Sequence, residues 1–142
     1  MAVTDPIHIA TIRGQQLRFF RTPRNDGRPD MPWHCVEDLQ RCLGLNREGR
    51  RVAMKIWRQT EFPIKTIATA DGLVSIAPHF CAQGFISAIA ELAGNADDVD
   101  REYALAGVEA LQTLTRGLHG DDLLTWMAAA YHRQDEHDGD AT

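Results

Sequence analysis

The chain has 142 residues and a mass of 15.9 kDa, with 44% hydrophobic and 25% charged residues. That composition fits one compact domain and is too apolar for a disordered chain. No run approaches the roughly 18 consecutive apolar residues of a membrane helix. The start, Met1-Ala2-Val3-Thr4-Asp5, lacks the basic and apolar regions of a secretory signal. Three cysteines, an odd number, argue against a disulfide framework and for the reducing cytoplasm. The net charge of −5 conceals a division: residues 1–65 hold 12 basic and 7 acidic side chains, a balance of +5, whereas residues 66–142 hold 3 and 13, a balance of −10. A uniformly basic protein is excluded; local attraction of phosphate by the basic part is not.

In chain order, Ile7 to Ile12 is short and β-branched, and Gln16 to Phe20 follows across Arg13-Gly14-Gln15. Gly14 can take a positive φ, so the pattern predicts a tight hairpin. Residues 22–32, TPRNDGRPDMP, predict a loop, because proline removes ladder donors and Asn-Asp-Gly favours turns. Val36, Leu39 and Leu43 then follow helical spacing, with Gly44 at the stop. Asn46 is the expected N-cap of a second helix, Arg47 to Arg58. Val52, Ala53 and Ile56 fall on one side of it; Arg47, Arg51, Lys55 and Arg58 fall opposite, with Arg50 at the margin. Two short helices joined by Gly44-Leu45-Asn46, the second basic, predict a helix-turn-helix-like pair.

A second hairpin is predicted from Ile64–Ala70 and Leu73–Ala77 around Asp71-Gly72, with Thr69 opposite Val74 and Ile67 opposite Ile76. Ile67, Val74 and Ile76 would then share a packed face. Pro78 suits the first turn of a helix running to Ala93, apolar nearly all round and expected at the centre of the fold. Its polar line is His79, Gln83, Ser87 and Glu91. Asp97, Asp98 and Asp100 place negative charge at the start of a further helix, about Val99 to Leu118. There Leu105, Val108 and Leu111 line one side, and Arg101, Glu102, Glu109 and Arg116 stay exposed. A last helix, Leu123 to about His132, carries Leu124, Trp126, Met127 and Tyr131. Residues 134–142, QDEHDGDAT, have no large apolar anchor and are expected to be disordered.

Taken in order, Pro32-Trp33-His34-Cys35-Val36-Glu37-Asp38-Leu39, Cys42-Leu43-Gly44-Leu45, the basic helix, Asp71-Gly72-Leu73-Val74-Ser75-Ile76 and Tyr103 to Leu118 resemble the N-terminal domain of BRO-family proteins (BRO-N). That family occurs in phage antirepressors and in proteins of large DNA viruses. The resemblance covers about residues 7–118. It implies a DNA-binding, regulatory role for the fold, although the acidic carboxyl half, the Pro-rich loop before Trp33 and the missing longer C-terminal region depart from the family pattern.

The residues themselves leave alternatives. Arg47, Arg50, Arg51, Lys55 and Arg58 on one helix suit phosphates or guanine edges, or form a solvated face. Arg24 and Arg28 would add phosphate contacts. The arginines of the first hairpin and loop, Arg13, Arg18 and Arg21 among them, either extend that surface or pair with the acidic half of the same or a second chain. Cys35 and Cys42, two helical turns apart, read as core packing rather than a zinc site, which needs four ligands. Ser87 lacks a G-x-S-x-G elbow and no phosphate-cradling loop motif is present, so neither an enzyme nor a cofactor is expected. Trp126, Met127 and Tyr131 either fold back on the core or form a dimer contact.

The expected architecture is a single α+β domain over residues 1–133: two β-hairpins forming a small sheet against about five helices. The expected function is a small prophage or mobile-element regulator that binds double-stranded DNA through Arg47–Arg58. A protein–protein module is the alternative. It would capture another regulator such as a repressor, or mimic DNA with its acidic half, without touching nucleic acid.

Overall fold

The structure, a computed structural model, describes residues 2–59, 63–79 and 96–133. It is an α+β fold built on one five-stranded antiparallel sheet with four helices among the described residues. The strands are β1 (His8–Ile12), β2 (Gln15–Phe20), β3 (Trp33–Cys35), β4 (Lys65–Thr69) and β5 (Gly72–Pro78), in the order β1-β2-β3-β5-β4. The helices are α1 (Val36–Cys42), α2 (Arg47–Gln59), α3 (Ala96–Leu114) and α4 (Gly120–His132). No helix among the described residues is long and apolar enough to cross a membrane.

Both predicted hairpins form, and they share one sheet through β3. In the first, Ile12 pairs with Gln15, leaving Arg13 and Gly14 as the turn with φ of 53° and 79°. Two successive positive φ values match the right-handed twist of the flanking strands. The second hairpin differs in register. Ile67 faces Val74 and Thr69 faces Gly72, so the chain reverses at Ala70-Asp71 rather than Asp71-Gly72. Thr69 fixes this by donating its hydroxyl to the Gly72 carbonyl at 2.7 Å and accepting the Asp71 N–H at 3.2 Å. A slip of two residues preserves the side-chain faces, and Val74, Ile76 and the half-buried Ile67 pack together as expected.

β3 and α1 are one device. After Cys35 the chain leaves the sheet, and β2 and β5 lose the neighbour that β3 had supplied. The first turn of α1 takes over: Asp38 Oδ2 accepts the Arg18 backbone N–H at 3.0 Å, and Glu37 Oε1 accepts that of Ser75 at 2.6 Å. Two ladder donors that burial would otherwise strand are thereby satisfied. α1 closes at Gly44, φ 71°, whose N–H reaches the Arg41 carbonyl while that of Leu45 reaches Gln40, a Schellman stop. Asn46 Oδ1 then accepts the Gly49 N–H at 2.8 Å and caps α2, as its position predicted.

One sheet face packs Ala10, Ile12, Leu17 and Phe19 against Val36 and Leu39 of α1, Ala53 and Trp57 of α2, and Val99, Tyr103, Ala106 and Ala110 of α3. The other carries Phe20, Trp33, Cys35, Val74 and Ile76. Three expectations are corrected. In α2 the buried pair is Ala53 and Trp57, and Val52 is exposed. In α3, Leu105 is 60% and Val108 50% exposed, with Leu111 half-buried. The inward stripe is Val99, Tyr103, Ala106 and Ala110, because small residues let the helix approach the sheet closely while Tyr103 fills the remaining space. Finally, Pro78 belongs to strand β5 rather than to a first helical turn. It ends β5 opposite Trp33, a strand terminus where its missing N–H interrupts no ladder. Beyond Pro78 and His79, the expected helix to Ala93 lies outside the described residues, as does the carboxyl-terminal tail 134–142.

Candidate nucleic-acid interface

The basic helix is held by its opposite face. Trp57 is buried and its ring lies 5.7 Å from that of His34 on β3. Ala53 packs beside it. With these residues inward, the 3.6-residue repeat turns Arg47, Arg51, Lys55 and Arg58 outward; Arg50, seven residues before Trp57, falls toward the inward side in the first turn, yet all five are exposed. Glu48 pairs with Arg51, Oε1 to Nη2 at 2.6 Å, which holds the Glu48 carboxyl below its ordinary range. Among the described residues no carboxylate pairs with Arg47, Arg50, Lys55 or Arg58. The acidic half does not close over the stripe through ion pairs with described residues. An exposed pair such as Glu48–Arg51 contributes little stability, and Arg47, Arg50, Lys55 and Arg58 have no ion-pair partner among the described residues.

The remaining arginines divide. Arg13 sits at the tip of the first turn, and Arg13, Arg21 and Arg28 are exposed. Arg18 is internal: its Nε donates to Asp38 Oδ2 at 2.8 Å and its Nη2 to Oδ1 at 3.0 Å, and Arg41 Nη2 binds the same carboxylate. These bonds to Asp38 raise the Arg18 pKa against the opposing effect of burial. Arg24, expected among the phosphate contacts, is also turned inward. Its side chain is 8% exposed, and its guanidinium lies over the Trp33 ring, 5.6 Å from the centroid. The sequence places Arg24 in a polar loop, and nothing local announces that Trp33 would provide a seat for it.

The two described cysteines are thiols in the interior. Burial pushes Cys35 up to about 12 and Cys42 to about 11, so neither is a thiolate at neutral pH. Among the described residues no three His, Cys, Asp or Glu side chains are grouped to hold a metal ion. His79, expected on a polar line, packs instead against Tyr103 (centroids 4.6 Å) and edge-on to Phe19 at 5.8 Å. Gln83, Ser87 and Glu91 lie outside the described residues.

At the carboxyl end, Trp126 and Met127 are half-buried, whereas Leu124 and Tyr131 are 67% and 65% exposed. Arg133 anchors the end of α4 by donating from Nη1 to Asp26 Oδ1 at 3.0 Å, with Nη2 on Oδ2. The bonds from Arg133 lower the Asp26 pKa to about 2. α4 therefore folds back along its Trp126 side and leaves Leu124 and Tyr131 facing outward. Sequence reasoning missed Arg133, Trp57 and the Glu37/Asp38 pair, all of which act through tertiary partners far away in the chain. Comparisons with family models, with characterised proteins and with solved structures find no match to this chain.

Proposed function

We propose that this chain is a small DNA-binding regulator of the BRO-N, antirepressor-like kind, which contacts the duplex through the outer face of α2. The reading is carried by one observation: Arg47, Arg50, Lys55 and Arg58 are exposed on one helix that is anchored from behind by Trp57, and no described carboxylate neutralises them. α1 and α2, joined by the Gly44 stop and the Asn46 cap, serve as a helix-turn-helix-like pair, with Arg28 as an additional phosphate contact. Exposed Leu124 and Tyr131, beside Trp126 and Met127, provide a surface for a second copy, which would suit a two-fold operator.

The test is duplex binding at several salt concentrations. Four phosphate contacts imply a weakening of about 100-fold between 50 and 200 mM salt. An Arg47→Ala/Arg51→Ala/Lys55→Ala variant should lose most of the affinity and flatten that slope. No binding by the unaltered chain at low salt would overturn DNA recognition and leave a protein-binding module. Unchanged binding by the triple variant would remove α2 from the interface.

A further inference from the structure

A cavity of about 370 Å³ opens between the loop after β2 and the carboxyl-terminal helices, within the size range of small-ligand sites. Arg21, Arg24 and Arg28 line it from the loop, and Leu114 of α3 and Trp126 of α4 from the helices. The loop is held in shape. Asp26 Oδ1 accepts the Arg28 N–H at 3.0 Å, and Arg133 ties Asp26 and the Arg28 carbonyl to α4.

Among the described residues, the carboxylates nearest the cavity are Asp26 and Asp30. Asp26 serves Arg133. Asp30, also on the wall, accepts the Met31 N–H at 2.9 Å and the Trp33 indole N–H at 3.2 Å. Arg24 Nη1 forms a loose ion pair with Asp30 Oδ2 at 4.0 Å, too long for a hydrogen bond, and its enclosed Nε has no hydrogen-bond partner among the described residues. A guanidinium withdrawn from water, braced over an aromatic ring and short of acceptors is a preorganised receptor for an oxyanion. The half-buried indole of Trp126 supplies a planar apolar wall on the same cavity.

We propose that this cavity binds a phosphomonoester carried on a planar ring, the chemistry of a mononucleotide. The phosphate oxygens lie on Arg21 and Arg24, and the ring lies against Trp126. Such a group is available as a free nucleotide or as the 5′ end of a strand. The site is separate from the outer face of α2 and does not depend on that face binding DNA.

Calorimetric titration at low salt tests this, with adenosine monophosphate, adenosine and inorganic phosphate as probes. Adenosine monophosphate should bind at least tenfold more tightly than adenosine. Arg24→Gln and Arg21→Gln should each weaken it at least fivefold; Arg21 is exposed, so its variant keeps the fold even if the other does not. Trp126→Ala should weaken the nucleotide at least fivefold and leave inorganic phosphate unchanged. A single-stranded oligonucleotide with and without a 5′ phosphate separates the two sources: tighter binding of the phosphorylated strand than of the free nucleotide assigns the site to strand ends, and the reverse order assigns it to nucleotides. The Arg47→Ala/Arg51→Ala/Lys55→Ala variant should keep nucleotide binding. Loss of it there, absence of binding to the unaltered chain, or indifference to both Arg21→Gln and Arg24→Gln overturns the assignment.

Discussion

Lowering the pH from 7 to 5 should destabilise this domain through two imidazoles, His34 and His79. His34 is fully buried, 5.7 Å from the Trp57 ring and edge-on to Tyr103 at 5.8 Å. Burial pushes its pKa down to about 3, aided by His79 and opposed by Asp38 and the backbone of Ala77 and Pro78. His79, tilted against Tyr103, is pushed down to about 4 by burial alone. In the unfolded chain both titrate near 6.5. Between the folded and unfolded values the unfolded chain takes up protons that the native one refuses, so stability is full above about pH 6.5 and falls as the pH drops. At pH 5 each imidazole costs about 2 kcal/mol relative to pH 7, and the pair about 4 kcal/mol. That approaches the whole stability of a marginal domain. Urea unfolding followed by circular dichroism at pH 7, 6 and 5 measures it, with His34→Phe expected to remove about half of the loss. A free energy that changes by less than about 0.5 kcal/mol over this range, or an unaltered slope in His34→Phe, would refute the reasoning.

Other expectations follow from the same packing. Gly107→Ala improves helix propensity by about 1 kcal/mol, yet the added Cβ would lie 2.1 Å from His79 Nε2. Thermal unfolding should show a net loss of about 1–3 kcal/mol from overpacking. Leu105→Lys should change stability by less than about 0.5 kcal/mol, whereas Ala106→Lys, one residue on, should prevent folding, as read by circular dichroism. Asp38→Asn leaves Arg18 and Arg41 without their shared charge and should cost about 3 kcal/mol or more in urea unfolding. Trp57→Ala should cost about 3–5 kcal/mol, while the triple α2 variant should unfold like the unaltered chain, separating the two faces of that helix.

Much of the frame is legible from local pattern because its causes are local. A positive φ at Gly14, a Schellman stop at Gly44 and an Asn46 cap each depend on residues within one turn, and the sequence displays them. The basic face of α2 is similarly local, since helical periodicity alone groups Arg47, Arg51, Lys55 and Arg58. β3 was not legible. Three residues, Trp33, His34 and Cys35, are buried on both faces, so they show no alternation, and between the loop and the helix at Val36 the pattern assigns them no element. The inward side of α3 was misread for a related reason: hydrophobicity favoured Leu105 and Val108, but the available space favoured Ala106 and Ala110.

The sequence by itself determined the α+β class, both hairpins and the segregation of positive charge onto the first 65 residues, because each follows from spacing and composition. Only the tertiary structure decided which of those charges face outward. Arg18 and Arg24 are drawn inside by Asp38 and Trp33, respectively, while α2 keeps its cations exposed because Trp57 occupies the core. Charge in a sequence is a sum over residues, but its availability to a partner depends on which carboxylates and rings the folded chain brings against each one.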